Sequence, residues 1–305
     1  MAVSIRGSRP FWLKLVDVRC SRTVSATTPS ERESPEQLSS NNNNINNNIN
    51  NNNNNMALAT TPSCCPPGAW PALAAPKDYI EKGRSISIGG TECYVSGSLM
   101  WGTGIIVMHD VFGPHSGNHK GLCDQLAAGG HYVIMPDFFN GGSMEPYYAA
   151  KQVTEGKQWL KQFNWAYCSK KLEPVHAHLS ENAVSKVGSI GFCWGAWAVA
   201  KVCQDPSKVQ AGVWAHPSCQ VGKELYEGET EHELASAVRA PTLILASPQE
   251  PEFYSNGELA NIMNCNAIPN DLVFFKDQAH GWVVRAAGFL GRSWEDCSTS
   301  TQPSV

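Results

Sequence analysis

The sequence predicts an α/β fold, in which helices cover both faces of a mostly parallel, twisted β-sheet. Short apolar segments alternate with longer helix-favouring segments along the chain, which is the pattern of βαβ units. Polar residues follow the ends of the apolar segments, and sheets of this kind bind ligands at the carboxyl ends of their strands. The chain has 305 residues, of which 42% are hydrophobic, and is long enough to bury a large core.

Composition excludes several classes of function. A net charge of −4 and a pI of about 6.1 argue against a nucleic-acid partner, which would require a basic surface. The chain has no apolar run of about 18 residues, so the sequence predicts no membrane-spanning segment. Eleven cysteines with irregular spacing indicate reduced, intracellular thiols rather than a disulfide framework.

The first part of the chain is predicted to lie outside the fold. Residues 41–55 are almost all asparagine and cannot bury enough apolar surface to fold, so we expect residues 1–55 to be disordered. Residues 1–30 carry five basic residues against one acid, Asp17, which fits either an organellar transit peptide or a plain disordered leader. Met56 is an alternative start. We therefore expect a cytoplasmic protein, or a mitochondrial or plastid one if residues 1–30 are a transit peptide.

A folded domain is predicted for residues 56–290, followed by an irregular tail at residues 291–305. Residues 84–97 alternate in polarity around Gly89-Gly90, which predicts a β-hairpin at the edge of the sheet. Further strands are predicted at residues 104–108, 132–135, 187–190, 211–215, 242–246 and 272–275. Helices are predicted at residues 120–128, 147–163, 172–184, 196–202 and 257–263.

The segment G-F-C-W-G at residues 191–195 predicts the nucleophile. It joins an apolar strand to a helix-favouring run, as in a nucleophile elbow with cysteine in the place of serine. Gly191 and Gly195 are expected there because a Cβ at either position would clash. The helix start favours the Cys193 thiolate, and the N–H of Trp194 is free to bind an oxyanion. The alternative is a buried structural cysteine between two packing glycines.

The order of the polar residues predicts a catalytic triad. Cys193, Glu250 and His280 each follow a predicted strand, in the order nucleophile, acid and histidine, which is the chain order of α/β-hydrolases. His280 would transfer the proton, and Glu250 would hold its tautomer. Glu252 and Asp277 are alternative acids.

The loop after residues 104–108 is predicted to complete the oxyanion hole. The N–H of Val111 is placed for this role. The carboxylate of Asp110 is expected near Cys193, although aspartate at such a position also commonly caps a loop.

No metal ligand set is predicted. Adjacent Cys64 and Cys65 cannot easily bind one ion together, and no C-x-x-C partner follows them. The spacing of His109, His115 and His119 fits no single helix face. We therefore predict no metal site.

Taken together, these motifs resemble the dienelactone hydrolase (carboxymethylenebutenolidase) family of α/β-hydrolases, and its eukaryotic branch in particular. The resemblance covers about residues 64–288 and rests on the stretches C-C-P-P-G, D-V-F-G, P-D-F-F-N-G-G, G-F-C-W-G, A-H-P-S and H-G-W-V-V-R. It implies an α/β-hydrolase fold, a cysteine–acid–histidine triad and ester hydrolysis without a cofactor. It also implies that Asp110 contacts the nucleophilic thiol and that Arg285 holds a substrate carboxylate.

The sequence departs from that family's pattern at two places. The family's usual triad acid is aspartate, and Glu250 stands in its place. After residue 288 the family continues into a terminal helix, whereas this chain has little helical periodicity there.

The function predicted from the sequence is hydrolysis of a small lactone or carboxylic ester through an acyl-enzyme on Cys193. Arg285 is expected to select an anionic group. The aromatic residues expected to line the substrate pocket are Phe112, Phe138, Trp194 and Trp282. The alternative is a non-catalytic binding or interaction protein that keeps the α/β-hydrolase fold. We expect a small-molecule ester or lactone substrate, neither nucleic acid nor membrane as a partner, and a monomer or weak homodimer.

Overall fold

The computed structural model describes residues 65–66, 68–73 and 79–286. The predicted leader at residues 1–55 and the predicted tail at residues 291–305 lie outside these residues. The described chain contains one eight-stranded sheet. Its strands are β1 (Arg84–Ile88), β2 (Thr91–Ser96), β3 (Thr103–Met108), β4 (Tyr132–Pro136), β5 (Lys186–Phe192), β6 (Ala211–Ala215), β7 (Thr242–Ala246) and β8 (Asn270–Phe274).

Helices connect the strands and cover the sheet. They are α1 (His119–Ala128), α2 (Glu145–Ala149), α3 (Val153–Leu160), α4 (Trp165–Glu181), α5 (Trp194–Val202), α6 (Val221–Tyr226), α7 (Glu231–Ala237), α8 (Glu258–Cys265) and α9 (Trp282–Arg285). Short 3₁₀ turns occur at Leu99–Trp101, Lys161–Phe163 and Glu252–Tyr254. Within the described ranges, no helix is both long enough and apolar enough to cross a membrane.

The sheet is parallel except at one edge. Its strand order is β1-β2-β4-β3-β5-β6-β7-β8. Strands β1 and β2 form an antiparallel hairpin, β2 pairs antiparallel with β4, and all the other pairs are parallel. The hairpin turns through Gly89 and Gly90 with φ of 56° and 80°, and a two-residue turn needs such positive angles to match the twist of its strands. The predicted edge hairpin is confirmed.

The core lies on both faces of the sheet. In β3, Ile106 and Met108 belong to one buried cluster, and the alternating residues Ile105 and Val107 belong to another. Successive side chains of a strand point to opposite faces, so a strand covered on both sides must be apolar throughout. The predicted α/β-hydrolase fold, with a mostly parallel sheet and helices on both faces, is confirmed.

Two of the helix predictions were wrong in extent. The single helix predicted at residues 147–163 is broken into α2, α3 and a 3₁₀ turn, because Lys151 adopts a left-handed φ of 57° between them. The helix predicted at residues 172–184 begins earlier, at Trp165, because the Asn164 side chain accepts a hydrogen bond from the Tyr167 N–H at 3.1 Å. That interaction is an N-terminal cap.

Helices α6 and α7 were missed. One sequence signal for α7 was available, because Thr230 and Glu233 form a capping box in which each side chain accepts a hydrogen bond from the other residue's N–H.

None of the described cysteines forms a disulfide. Seven of them are buried and only Cys265 is exposed. The buried cysteines are Cys65, Cys93, Cys123, Cys168, Cys193, Cys203 and Cys219.

Candidate active site

Five polar residues meet at the carboxyl edge of the parallel strands. Asp110 follows β3, Cys193 follows β5, His216 follows β6, Glu250 follows β7 and His280 follows β8. All five are buried. Their position follows from topology, because parallel strands end at the same edge of the sheet.

Cys193 sits on the sharp turn that the sequence predicted. Its φ of 55° and ψ of −114° are strained for a side chain other than glycine, at a cost of about 1–3 kcal/mol. The flanking glycines are required by space. A Cβ on Gly191 would lie 2.2 Å from the Gly195 carbonyl oxygen, and a Cβ on Gly195 would lie 2.2 Å from the Met108 carbonyl oxygen. The strand, the helix start and the loop after β3 therefore meet closely around the sulfur.

His280 and Glu250 form a buried pair. The distance from His280 Nδ1 to Glu250 Oε1 is 2.8 Å, and each side chain is 1% exposed. The other carboxylate oxygen of Glu250 accepts a hydrogen bond from the Ser247 N–H. The alternative acids, Glu252 and Asp277, are both exposed. The geometry therefore favours Glu250 as the acid that orients the imidazole.

The opposite side of the His280 ring faces two sulfur atoms. The Sγ atoms of Cys65 and Cys193 and a ring nitrogen of His280 all lie within 4.8 Å of one another. Because Nδ1 is held by Glu250, the nitrogen that faces the sulfurs is Nε2. Sequence reasoning did not place Cys65 at the active site.

The surroundings of His280 favour its charged form. Burial alone lowers the pKa of this imidazole, but the neighbouring Cys193 and Cys65 thiols raise it. The hydrogen bond that the His280 Nδ1–H donates to Glu250 raises it further, and the resulting pKa lies well above the ordinary value. A positively charged imidazole beside Cys193 stabilises a thiolate there.

The two predicted oxyanion donors lie on the loops that meet at the elbow. Trp194 is the first residue of α5, and Val111 follows β3. Neither backbone N–H donates a hydrogen bond to another group within the described chain. The Val111 carbonyl is fixed by the Met144 N–H at 3.0 Å, and the Trp194 indole donates to the Tyr226 hydroxyl at 2.8 Å. The oxyanion role of these two amides stays a prediction.

Asp110 and Arg285 form a second buried pair. The distance from Arg285 Nε to Asp110 Oδ2 is 3.1 Å, and both side chains are fully buried. Asp110 Oδ1 also accepts the Phe112 N–H at 2.9 Å, so the expected loop-capping role is present. The Arg285 guanidinium lies over the Phe112 ring, 5.0 Å from its centre. The contact between Asp110 and the Cys193 thiol stays a prediction.

A cavity of about 270 Å³ opens beside this pair. Phe112 and Arg285, two of the residues predicted to bind substrate, line it. The other lining residues are Cys65, Pro66, Gly68, Ala69, Trp70, Pro71, Ala72 and Tyr148. A chain segment that precedes the sheet therefore forms much of the cavity wall.

The other three aromatic residues predicted to line the substrate pocket, Phe138, Trp194 and Trp282, do not line this cavity, and their role stays a prediction. The Trp282 ring packs in the core with its centroid 4.2 Å from that of Phe275. Phe138 and Trp194 belong to a buried aromatic cluster, in which the ring centroids of Trp194 and Phe139 are 4.9 Å apart. Burying these large rings between the loops stabilises the site without exposing them to the cavity.

His109 and His119 are structural. The His109 ring accepts the Phe138 N–H at 3.1 Å and donates to the Asp110 carbonyl at 2.8 Å. The His119 ring accepts the Asp110 N–H at 3.3 Å and donates to the Ser116 carbonyl at 2.7 Å. Burial lowers the pKa of His109 to about 4, so it is neutral and holds the loop after β3 in place.

Ser218 is the serine of the A-H-P-S stretch, and sequence reasoning did not predict its contact with the nucleophile. Its Oγ lies 3.6 Å from Cys193 Sγ, and its N–H donates to the Cys193 carbonyl at 3.1 Å. The Cys193 N–H in turn donates to the Ala215 carbonyl at 3.1 Å. The available signal was position alone, because Ser218 follows a strand that neighbours the elbow.

A model of the dienelactone hydrolase family matches residues 94–297, which is more than half of the chain. The chain belongs to the dienelactone hydrolase family. Among curated relatives, the carboxymethylenebutenolidase homolog of Rattus norvegicus is 27% identical over 233 residues, covering 75% of this chain and 87% of that protein. The human homolog is 25% identical over 233 residues, covering 75% of this chain and 87% of that protein.

Solved structures carry the same fold. A candidate dienelactone hydrolase from Klebsiella pneumoniae matches 70% of this chain and 93% of its own, with a TM-score of 0.51 and 20% identity. A dienelactone hydrolase-like promiscuous phosphotriesterase from metagenomic libraries matches 71% of this chain and 95% of its own, with a TM-score of 0.50 and 15% identity. This dienelactone hydrolase family member is thus a hydrolase by family and an α/β-hydrolase by fold.

Proposed function

We propose that the protein hydrolyses a small lactone or carboxylic ester through an acyl-enzyme on Cys193. One observation supports this most strongly. The buried His280 ring is held on one side by Glu250 at 2.8 Å and faces the Cys193 sulfur on the other. A nucleophile, a base within reach of it and an acid that orients the base are the parts that covalent hydrolysis requires.

The first half of the reaction forms the acyl-enzyme. The Cys193 thiolate attacks the carbonyl carbon, and the N–H groups of Val111 and Trp194 stabilise the negative oxygen. The carbon–oxygen bond to the leaving group then breaks. His280, which is positively charged beside the thiolate, donates its proton to the departing alkoxide or enolate.

The second half restores the enzyme. His280, now neutral, takes a proton from water, and the hydroxide attacks the thioester carbon. The carbon–sulfur bond breaks, the acid product leaves and Cys193 returns as thiolate beside the imidazolium. Glu250 keeps Nδ1 protonated throughout and stabilises the charged ring.

The cavity favours a small substrate with an anionic group. Its volume of about 270 Å³ is just below the usual range of ligand pockets. Arg285 reaches the cavity wall, and its Nη2 has no hydrogen-bond partner among the described residues. A substrate carboxylate would satisfy that donor, while Asp110 holds the other side of the guanidinium.

Substitution of the nucleophile tests the proposal. We expect Cys193→Ala to lower turnover of a responsive ester or lactone by more than about 10⁴-fold, because single triad losses are of that order or larger. Steady-state assays on a broad ester and lactone panel would measure it. The melting temperature should change little, since the substitution removes one sulfur from a strained turn.

The exposed Cys265 provides the matched control. Cys265→Ser also removes one thiol and should keep parental turnover, because its side chain is on the surface. Residual activity of Cys193→Ala within about tenfold of the parent would mean that another group is the nucleophile. Absence of hydrolysis by the parent across the panel would instead favour the non-catalytic alternative.

A further inference from the structure

We propose that Cys65, Cys193 and His280 form a zinc site, and that Zn²⁺ bound there inhibits the enzyme. Their three ligand atoms all lie within 4.8 Å of one another, and all three residues are buried. The Cys65 and Cys193 thiols and the His280 imidazole are the ligand types that Zn²⁺ prefers. The cluster combines residues from three distant parts of the chain, which explains why spacing in the sequence did not reveal it.

The separations suit a tetrahedral ion. With Zn–S bonds of about 2.3 Å and Zn–N bonds of about 2.0 Å, the ligand atoms of a tetrahedral site stand about 3.5–3.8 Å apart. The three atoms are within 4.8 Å, so each pair must approach by at most about 1.3 Å. Small rotations of the two cysteine side chains provide that movement.

Glu250 fixes the orientation of the His280 ring. Its carboxylate holds His280 Nδ1 at 2.8 Å and leaves Nε2 directed at the two sulfurs. A carboxylate on the far nitrogen of a histidine ligand fixes its tautomer and increases its basicity toward zinc. The same contact that prepares His280 for catalysis therefore prepares it for a metal.

The local charges are compatible with a divalent cation. Two thiolates neutralise Zn²⁺. Arg285 Nη1 lies 3.7 Å from Cys65 Sγ and favours its thiolate form, while Asp110 compensates the guanidinium charge at 3.1 Å. His216 also faces the cluster, with its ring centroid 5.0 Å from that of His280.

Cys65 is held in place by the segment that carries it. The Trp70 N–H donates to the His280 carbonyl at 2.8 Å, and the Trp70 carbonyl accepts from Arg285 Nη1 at 2.6 Å. Further along, the Gly117 N–H donates to the Leu73 carbonyl at 2.6 Å. Because Cys65 also lines the cavity, an ion or its fourth ligand can reach the cluster from that side.

Zinc would block the reaction at two atoms. It would take the lone pair of the Cys193 sulfur and the Nε2 nitrogen of His280 that must carry the proton. This inhibitory consequence rests on the proposed function, whereas binding of the ion does not. Binding also displaces protons from the thiols and the imidazole, so the affinity should fall as pH is lowered.

Direct binding is the first test. The reduced, chelator-treated protein is titrated with Zn²⁺ against a chromophoric chelator. We expect one equivalent to bind with a Kd on the order of 10⁻⁷ M or tighter, near the weak end of the range for four-ligand sites. Cys65→Ser should weaken binding about 100-fold, because it removes one of three ligands.

The control variant removes a thiol elsewhere. Cys265→Ser should bind zinc with parental affinity, since Cys265 lies on the surface. Glu250→Gln should weaken binding by about 10–100-fold through loss of support for His280. Failure of the parent to bind one equivalent, or parental affinity in Cys65→Ser, would overturn the proposal.

A second measurement needs no variant. Iodoacetamide labelling of the parent, followed by peptide mass spectrometry, reports each cysteine separately. Zinc should slow the alkylation of Cys65 and Cys193 together and leave Cys265 unchanged, whereas protection of only one of the pair would contradict a shared site.

Zinc should also inhibit hydrolysis at the concentration that fills the site. If the zinc-free parent hydrolyses nothing, the proposed function fails, but the binding result still stands or falls by itself.

Discussion

His280 and His216 are two buried imidazoles of one site that have opposite charge states. Their ring centroids are 5.0 Å apart, and both side chains are almost completely excluded from solvent. Burial lowers the pKa of each, and for His216 the result lies well below the ordinary value. For His280 the pKa lies well above it, because Cys193, Cys65 and Glu250 overcome the effect of burial.

The difference lies in what each ring contacts. His280 has a carboxylate at one nitrogen and two sulfurs at the other. Neither ring nitrogen of His216 has a hydrogen-bond partner among the described residues. Burial by itself therefore favours the neutral form of His216, whereas the partners at both ring nitrogens of His280 favour its charged form.

Replacing each of the two histidines with glutamine should give the largest difference in kcat. We expect His280→Gln to lower kcat by about 10⁴-fold or more, because it removes the base and the charge beside the thiolate. His216→Gln should keep kcat within about tenfold, since His216 has no hydrogen bond to the reacting groups. Both are measured with the substrate found for the parent. Equal losses in the two variants would contradict the distinction drawn from their partners.

Removing the carboxylate that distinguishes His280 should have a smaller effect. Glu250→Gln should leave the fold intact and favour the wrong tautomer. The comparable change in a serine triad costs about 10⁴-fold. Because a cysteine depends less on its base, we expect a loss in kcat of about 10²–10³-fold here.

Two further variants locate the acid. Glu250→Asp should retain most of the activity or raise it, because it restores the shorter acid that is usual in the family. Glu252→Gln should keep parental turnover, since Glu252 is exposed. If Glu252→Gln is damaging and Glu250→Gln is silent, the acid is misassigned; if neither matters, only a Cys193–His280 dyad remains.

The opposite pKa directions predict opposite responses of stability to pH. His280 has a raised folded-state pKa, so its stabilising contribution is complete below about pH 6.5 and is lost as pH rises through the folded-state value. Glu250→Gln should therefore destabilise the protein most at about pH 6, by about 1.5–3 kcal/mol, and progressively less toward pH 10. Chemical denaturation at several pH values would measure this.

His216 supplies the control for that experiment. Its folded-state pKa is lowered, so it is neutral in both folded and unfolded chains between pH 7 and 10. The destabilisation caused by His216→Gln should not vary across that range. A deficit for Glu250→Gln that stays constant, or grows, toward pH 10 would mean that His280 is not charged in the folded protein.

Much of the site was predictable because it is local in sequence or ordered by topology. The elbow at Cys193 follows from two glycines whose absent Cβ atoms allow a strand and a helix to meet. Glu250 and His280 follow from the rule that polar residues after parallel strands gather at one edge. The break at Lys151 was not predictable from periodicity, since the turn that closes there leaves the apolar pattern unchanged.

The sequence by itself determined the α/β-hydrolase fold, the elbow and the order of the proposed triad, because these depend on short-range spacing and on strand direction. Only the tertiary structure decided that Trp282 packs against Phe275 instead of lining the cavity. It alone brought Cys65 to within 4.8 Å of Cys193 and His280. Such contacts depend on how an irregular segment crosses the sheet edge, and the hydrogen bonds that fix that path, such as the one from the Trp70 N–H to the His280 carbonyl, join backbone atoms that leave no pattern in the sequence.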